Sequence, residues 1–148
     1  MKIEEVLKRL RVFLLWFSIF IFAGAMLELL ALKHFGEDLQ WVPLFLCPLG
    51  IILVALFLAK PGTGFLNVLR IGMWGIAAGG LVGTIIHISG NLESIFEAGR
   101  SVNLPGLFYA IAGGRNPLLA PGTLIIAAAL SLAAVYHHPV EGAVQKKK

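Results

Sequence analysis

Long apolar stretches alternate with short polar connections along the 148 residues of the chain. Four of them, residues 12–32, 41–59, 66–88 and 118–136, come close to the roughly 20 residues that a helix needs to cross a ~30 Å hydrocarbon core. A backbone inside lipid must satisfy its own hydrogen bonds, so each stretch is predicted to be a helix. The pattern therefore predicts an all-α integral membrane protein whose single domain is a bundle of four transmembrane helices.

The connection between the third and fourth stretches contains a shorter apolar run, residues 107–112, which is too short to span a bilayer. We interpret it as a short interfacial helix in the second outer loop, lying along the membrane surface. The alternative is a segment that dips into the membrane, and such a segment needs protein or water around its backbone.

Composition supports the same class of protein. Hydrophobic residues make up 58% of the chain, charged residues only 14%, and the mean hydropathy is +0.88. A soluble domain carries roughly a quarter charged residues, so this chain has too few to cover a water-facing surface. The single cysteine, Cys47, excludes an internal disulfide and a zinc site built from cysteines.

The basic residues predict the orientation. With the N-terminus in the cytoplasm, nine of the 12 Lys and Arg residues fall inside and three outside, a clear positive-inside bias. The inner set is Lys2, Lys8, Arg9, Arg11, Lys60, Arg70, Lys146, Lys147 and Lys148, and the outer set is Lys33, Arg100 and Arg115. Four crossings place both termini in the cytoplasm, as in a multi-pass protein of a bacterial inner membrane. The expected partner of the basic residues is anionic lipid at the cytoplasmic face, not nucleic acid.

A cleavable leader is the alternative interpretation of the N-terminus. A basic start, an apolar core and the small residues 23–25 resemble a signal peptide with its cleavage site. The apolar run nevertheless continues to Leu32, which gives it the length of a full span. We therefore expect residues 1–25 to be retained as part of the first transmembrane helix.

A row of glycines at four-residue spacing marks the third stretch. Gly75, Gly79 and Gly83 lie along one slowly drifting helix face, and His87 is the next position in the row. A bare face lets another helix approach closely, either within the chain or in a second copy that forms a homo-oligomer. Small residues elsewhere offer matching surfaces: Gly24 on the first stretch, and on the fourth either Ala129 and Ala133 or Ala127 and Ser131.

Polar residues gather at the predicted outer ends of the first and third helices. Glu28 lies roughly 6 Å inside the apolar boundary, and His87 reaches a similar depth. Such a group needs a partner or protonation, which favours either a proton or cation site or a structural hydrogen bond. Depth alone thus predicts a polar cluster at the outer mouth of the bundle, made of Glu28, His87, Asn91, Glu93 and Arg115.

The sequence gives little support to metal, haem or catalytic sites. The histidines form no H-E-x-x-H or E-x-x-H motif, and only His34 and His87 have depths that suit a haem pair. His34, Glu37 and Asp38 are better explained as a solvated loop than as a cation site. No catalytic residue, metal ligand or cofactor is predicted, and an enzymatic role is not favoured.

Three functional hypotheses remain open. Short loops without a soluble domain favour a non-enzymatic polytopic inner-membrane protein, an accessory or assembly subunit of a membrane complex. The alternative is a component of a proton or cation transporter or channel that uses Glu28 and His87. The third is an integral-membrane metal or haem protein.

Overall fold

The computed structural model of the protein describes residues 2–32, 41–99, 103–114 and 118–140. Within these ranges the chain forms five α-helices and no strand, which confirms the all-α prediction. The helices are α1 (Ile3–Ala31), α2 (Trp41–Ala59), α3 (Thr63–Glu97), α4 (Leu104–Ala112) and α5 (Leu119–Ala134).

Helix α1 begins at Ile3, well before residue 12, where the apolar stretch starts. Its first turn carries Glu4 and Glu5, and carboxylates are stabilised at the positive end of a helix dipole. The Glu5 carboxylate also accepts a 2.7 Å hydrogen bond from Arg9, one turn further on. These interactions continue the helix out of the apolar stretch as a short polar segment.

Helix α3 has 35 residues and is about 52 Å long. It continues to Glu97, so residues 89–97, which the apolar pattern assigns to the second outer loop, are helical instead. Asn91 and Ile95 are buried and carry the contact face of the helix beyond its apolar stretch. Because α3 exceeds the ~30 Å thickness of a hydrocarbon core, it extends past that core.

Helix α4 corresponds to the short helix expected in the second outer loop and begins three residues before the apolar run at residue 107. The side chain of Asn103 caps it by accepting a 2.9 Å hydrogen bond from the Gly106 N–H. None of its side chains is buried, and Leu104, Phe108 and Tyr109 are exposed. Its position along a membrane surface stays a prediction.

Helix α5 has 16 residues, about 24 Å, and is shorter than the predicted stretch 118–136. It ends at Ala134, and His137 adopts a left-handed backbone conformation with φ 44°. Helices α1, α2 and α3 are each long and apolar enough to cross a membrane, whereas the described apolar part of α5 is shorter. The fourth crossing therefore stays a prediction.

Helices α1, α2, α3 and α5 pack around one apolar core. Both α1 and α3 pack against α2 and α5, and they lie on opposite sides of that pair. The core draws side chains from all four helices, including Leu15, Phe22, Val54, Phe57, Leu69, Met73, Ile76, Leu124 and Ala127. In the most apolar parts of α1, α2 and α3, only 28%, 22% and 17% of the residues are buried, so most side chains there keep some exposed surface.

Neighbouring helices of this core run antiparallel. Arg70 near the start of α3 contacts Val135 just after the end of α5, and Gly83 late in α3 lies beside Pro121 at the start of α5. On α2, Leu53 lies beside the early part of α3 and Leu46 beside the later part. The starts of α1 and α3 therefore lie at the same end of the core as the ends of α2 and α5.

The three glycines of the row on α3 meet three different environments. A Cβ on Gly79 would meet Leu46 of α2 at 2.7 Å, and one on Gly83 would meet Pro121 of α5 at 3.2 Å. A Cβ on Gly75 would meet nothing within 4 Å. Since four residues advance a helix by about 400°, the row drifts about 40° per step. Because of this drift, Gly75 faces away from the bundle, Gly79 faces α2 and Gly83 faces α5.

The closest approach of α3 to α5 occurs at Gly80, beside the row. A Cβ there would lie 2.8 Å from Ile125 Cγ1 and 2.9 Å from the Pro121 carbonyl oxygen. The other predicted packing residues lie elsewhere: Gly24 faces open space, and Ala129 and Ala133 are exposed. On α5 the alternative pair, Ala127 and Ser131, is buried, together with Ala128 and Ala134.

The change Gly80→Ala is expected to lower the free energy of unfolding by about 1–3 kcal/mol, the usual cost of overpacking. The clash is with the backbone of α5, which cannot yield without moving the helix. Gly75→Ala is the matched control and should leave stability equal or higher, because alanine is the better helix former. Thermal unfolding in detergent, followed by circular dichroism, compares the two variants. Equal destabilisation by both would contradict the close approach of α3 and α5.

Candidate functional site

Among the described members of the predicted outer cluster, Asn91 is the one that is buried, with 2% of its surface exposed. Its Nδ2 donates a 2.8 Å hydrogen bond to the carbonyl oxygen of Ile111 in α4. A buried carboxamide needs such partners, because an unsatisfied polar group costs free energy. Asn91 therefore ties the end of α4 to the last turns of α3.

Gly114 brings the chain after α4 onto the same asparagine. A Cβ on Gly114 would lie 2.6 Å from Asn91 Cγ and 2.7 Å from its Oδ1, so the close contact requires glycine. Arg115, the next residue and a predicted member of the cluster, lies outside the described residues. The structure thus places the segment that leads to Arg115 beside Asn91.

His87 and Glu93 differ in their surroundings although both are on α3. His87 is half-buried and lies one turn before Asn91, on the same side of the helix. Glu93 is exposed and lies two residues after Asn91, which turns it by about 200° from that side. The helix therefore groups His87 with Asn91 and directs Glu93 away from them.

Glu28 lies on the side of α1 that faces away from the bundle and is exposed. Its helix and α3 are on opposite sides of the α2–α5 pair. Within the described ranges, the Glu28 carboxylate forms no hydrogen bond or ion pair. No described contact therefore joins Glu28 to His87 or Asn91.

The other end of the core contains a polar arrangement that the sequence pattern does not reveal. Arg70 Nη2 donates a 2.8 Å hydrogen bond to the Val135 carbonyl oxygen. From the opposite side, Arg11 Nη2 lies 3.2 Å from the carbonyl oxygen of His137 and 3.5 Å from that of Tyr136. The last carbonyls of a helix lack partners and carry partial negative charge, which guanidinium groups satisfy. Arg70 thus caps α5, and Arg11 binds the turn that follows the helix.

Two buried serines also satisfy polar groups inside the core. Ser18 donates to the Leu14 carbonyl oxygen at 2.8 Å, and Ser131 to that of Ala127 at 3.0 Å. Each bond returns to the carbonyl four residues earlier, a common way to bury a hydroxyl in a helix. Among the described side chains, no buried nitrogen or oxygen lacks a partner. The serines therefore have a structural explanation.

The described residues contain no group of three or more His, Cys, Asp or Glu side chains that could hold a metal ion. His34, Glu37 and Asp38 lie outside the described ranges, and with them the proposed His34–His87 haem pair. At the opposite end, His138 packs edge-on against Phe57, with ring centroids 5.2 Å apart.

The class of protein follows from these features. The described residues form helices and no strand, and three of the helices are long and apolar enough to cross a membrane, as in a membrane protein. Comparison of the chain with family models, with curated proteins and with solved structures gave no match. The residues themselves therefore carry the functional interpretation.

Replacing Arg70 by Leu is expected to cost roughly 1–3 kcal/mol of stability, because the Val135 carbonyl loses its donor in a partly buried position. Arg9→Leu removes the same charge at the same end but breaks only an exposed ion pair, worth less than about 1 kcal/mol. Thermal unfolding in detergent compares the two variants, and Arg70→Lys tests whether one donor restores part of the loss. If Arg9→Leu were the more damaging change, the cap would not stabilise α5.

Proposed function

We propose that the protein crosses a bacterial-type inner membrane four times, with both termini in the cytoplasm. The antiparallel order of α1, α2, α3 and α5 supports this topology, because it returns the chain to its starting side after α5. All six described Lys and Arg residues lie at that starting end, as the positive-inside rule requires of a cytoplasmic face. They are Lys2, Lys8, Arg9, Arg11, Lys60 and Arg70.

At the proposed outer end of the bundle, the end of α3 and helix α4 expose apolar side chains. Phe96 on α3 and three residues of α4, Leu104, Phe108 and Tyr109, are all between 69% and 83% exposed. Tyrosine is enriched at the level of lipid headgroups, and the phenylalanine and leucine side chains beside Tyr109 suit the adjoining apolar layer. This surface supports the placement of α4 in the membrane interface.

Cysteine labelling tests the topology. In a Cys47→Ala background, a membrane-impermeant maleimide should label Leu104→Cys in intact cells. It should label Lys60→Cys and Val140→Cys only after the membrane is opened, because both lie at the proposed cytoplasmic end. Labelling of Val140→Cys in intact cells would show that α5 does not cross and would overturn the four-span topology.

For the function itself, we infer an accessory or assembly subunit of a larger membrane complex, and the outer face of α1 supports this. Phe13, Phe17 and Phe20 stack along it, with ring centroids 5.9 Å and 6.3 Å apart. At about 100° per residue, this face lies opposite the buried side of the helix. One turn further on, Gly24 continues the face with open space above it. Aromatic side chains next to a bare position favour a close-packed partner helix.

The proposal rests mainly on the exposed position of Glu28 within an apolar helix. This residue lies one turn beyond Gly24, on the same outer face of α1 and within the apolar stretch 12–32. An ionisable side chain that faces lipid costs roughly 2–3 kcal/mol near the middle of a span and less near its end. A polar group on a partner helix removes that cost, whereas lipid tails do not. The partner is either a different subunit or a second copy of this chain.

The transport hypothesis requires Glu28 and His87 to line one pathway. Glu28 faces outward, and α1 and α3 lie on opposite sides of the α2–α5 pair. The placement of Glu28 therefore supports a role in subunit contact more than a role in conduction.

The mass of the solubilised particle tests the subunit hypothesis. Extracted from its native membrane in mild detergent, the 15.9 kDa chain should migrate in a larger protein assembly. Glu28→Gln should weaken that assembly about fivefold, as expected when an interhelical hydrogen bond to a charged carboxylate becomes one to a neutral amide. Light scattering of the purified particle measures the protein mass.

Glu93→Gln is the matched control for this experiment, because it removes an exposed carboxylate that lies beyond the apolar stretch of α3. It should leave the assembly unchanged. A monomeric wild-type protein, or equal weakening by the two variants, would contradict the proposal.

A further inference from the structure

A cleft of about 400 Å³ opens at the proposed cytoplasmic end of the core. It lies between the first half of α1, the end of α2 and the segment that follows α5. Clefts that hold small ligands in proteins measure roughly 300–1,000 Å³, so this volume suits part of a ligand or a lipid chain. The outer cluster and the outward face of α1 are elsewhere on the molecule.

The walls of the cleft are apolar and its rim is cationic. Leu15 and Phe57, which are buried, and the half-buried Leu58 line it together with the exposed Lys8 and the half-buried Arg11. On α1 the lining residues are spaced by three and four positions, which places them on one side of the helix. The cleft therefore combines a hydrophobic surface with two positive charges that one helix holds together.

Arg11 is positioned and still has donors to offer. Its Nη2 binds the carbonyl oxygens of Tyr136 and His137, which fixes the guanidinium at the end of α5. Those contacts use one nitrogen, and a guanidinium carries five N–H groups. The remaining N–H groups match the oxygens of an anionic group such as a phosphate.

Lys8 adds a second charge that the described residues do not neutralise. It lies one turn before Arg11 on the same side of α1 and forms no ion pair within the described ranges. Two acidic residues, Glu4 and Glu5, lie about one turn before it. Glu5 binds Arg9 at 2.7 Å, and within the described ranges Glu4 forms no ion pair with Lys8. The rim of the cleft thus keeps a positive charge that attracts an anion.

The geometry points to a binding site for an anionic phospholipid, with the phosphate between Lys8 and Arg11 and part of an acyl chain in the cleft. The inference rests on the membrane orientation proposed above, because that orientation places the cleft at the cytoplasmic leaflet, where anionic lipids lie. A water-soluble phosphate would use only the cationic rim, whereas a lipid uses both the rim and the apolar walls.

Native mass spectrometry of the full chain tests the site. The protein is released from mixed micelles that contain phosphatidylglycerol and phosphatidylcholine with identical acyl chains. The wild type should retain phosphatidylglycerol in preference, and Lys8→Gln should lower that retention about fivefold, the effect of one cation near an anionic headgroup. Lys2→Gln removes the same charge from the same helix end but lies outside the cleft, and it should change retention little.

Two further measurements distinguish binding of a lipid from binding of a free phosphate. Val12→Trp fills the cleft and keeps both cations, so it should abolish the preference if an acyl chain occupies the cleft. Inorganic phosphate added to the micelles should not displace the lipid. Lys8 and Val12 are both exposed, and unchanged circular dichroism of their variants verifies that they fold.

Equal retention of the two lipids by the wild type would overturn the proposal. So would equal effects of Lys8→Gln and Lys2→Gln, an unaffected Val12→Trp variant, or displacement by inorganic phosphate. Glu28→Gln should retain the lipid as the wild type does, because Glu28 lies at the other end of α1. Loss of the assembly with retained lipid preference, or the reverse, therefore distinguishes failure of the subunit hypothesis from failure of the lipid site.

Discussion

Carbonyl groups at the end of a helix must find donors, and inside an apolar core the donors have to come from neighbouring side chains. At the end of α5, Arg70 donates to the carbonyl oxygen of the buried Val135. Arg11, from the helix on the other side, binds the exposed turn that follows α5. These bonds join residues 126 and 65 positions apart in the chain. They therefore hold α5 between α1 and α3 and determine which ends of the helices lie together.

The position of α5 explains why the predicted outer cluster is divided. Gly80 lets α5 approach the backbone of α3, so α5 occupies the space that separates α3 from α1. Asn91 then binds α4 on the α3 side, while Glu28 remains on the far surface of α1. Equal depth along two helices brings side chains together only when the helices are neighbours, and α1 and α3 are not.

The sequence predicts what depends on hydrophobic length and misses what depends on helix rotation. The bounds of α2 follow from an unbroken apolar run with chain breakers at residues 61 and 62. The extension of α3 is missed, since the burial of Asn91 depends on a contact with α4 that spacing does not encode. Gly80 is missed for a similar reason, because a row of glycines does not reveal which neighbour each one faces. The contacts of Arg11 and Arg70 are missed because both residues also fit the positive-inside rule.

Helix α1 carries two different sets of side chains, and the helical repeat places them on opposite sides of the helix. Lys8, Arg11 and Leu15 lie on its inner side at one end and line the cleft. The aromatic stack and Glu28 lie on the opposite side and reach the other end. Since the two sides differ by about half a turn, a lipid in the cleft and a partner helix on the outer face do not compete for the same surface. The proposed lipid and the proposed partner subunit therefore contact opposite sides of one helix.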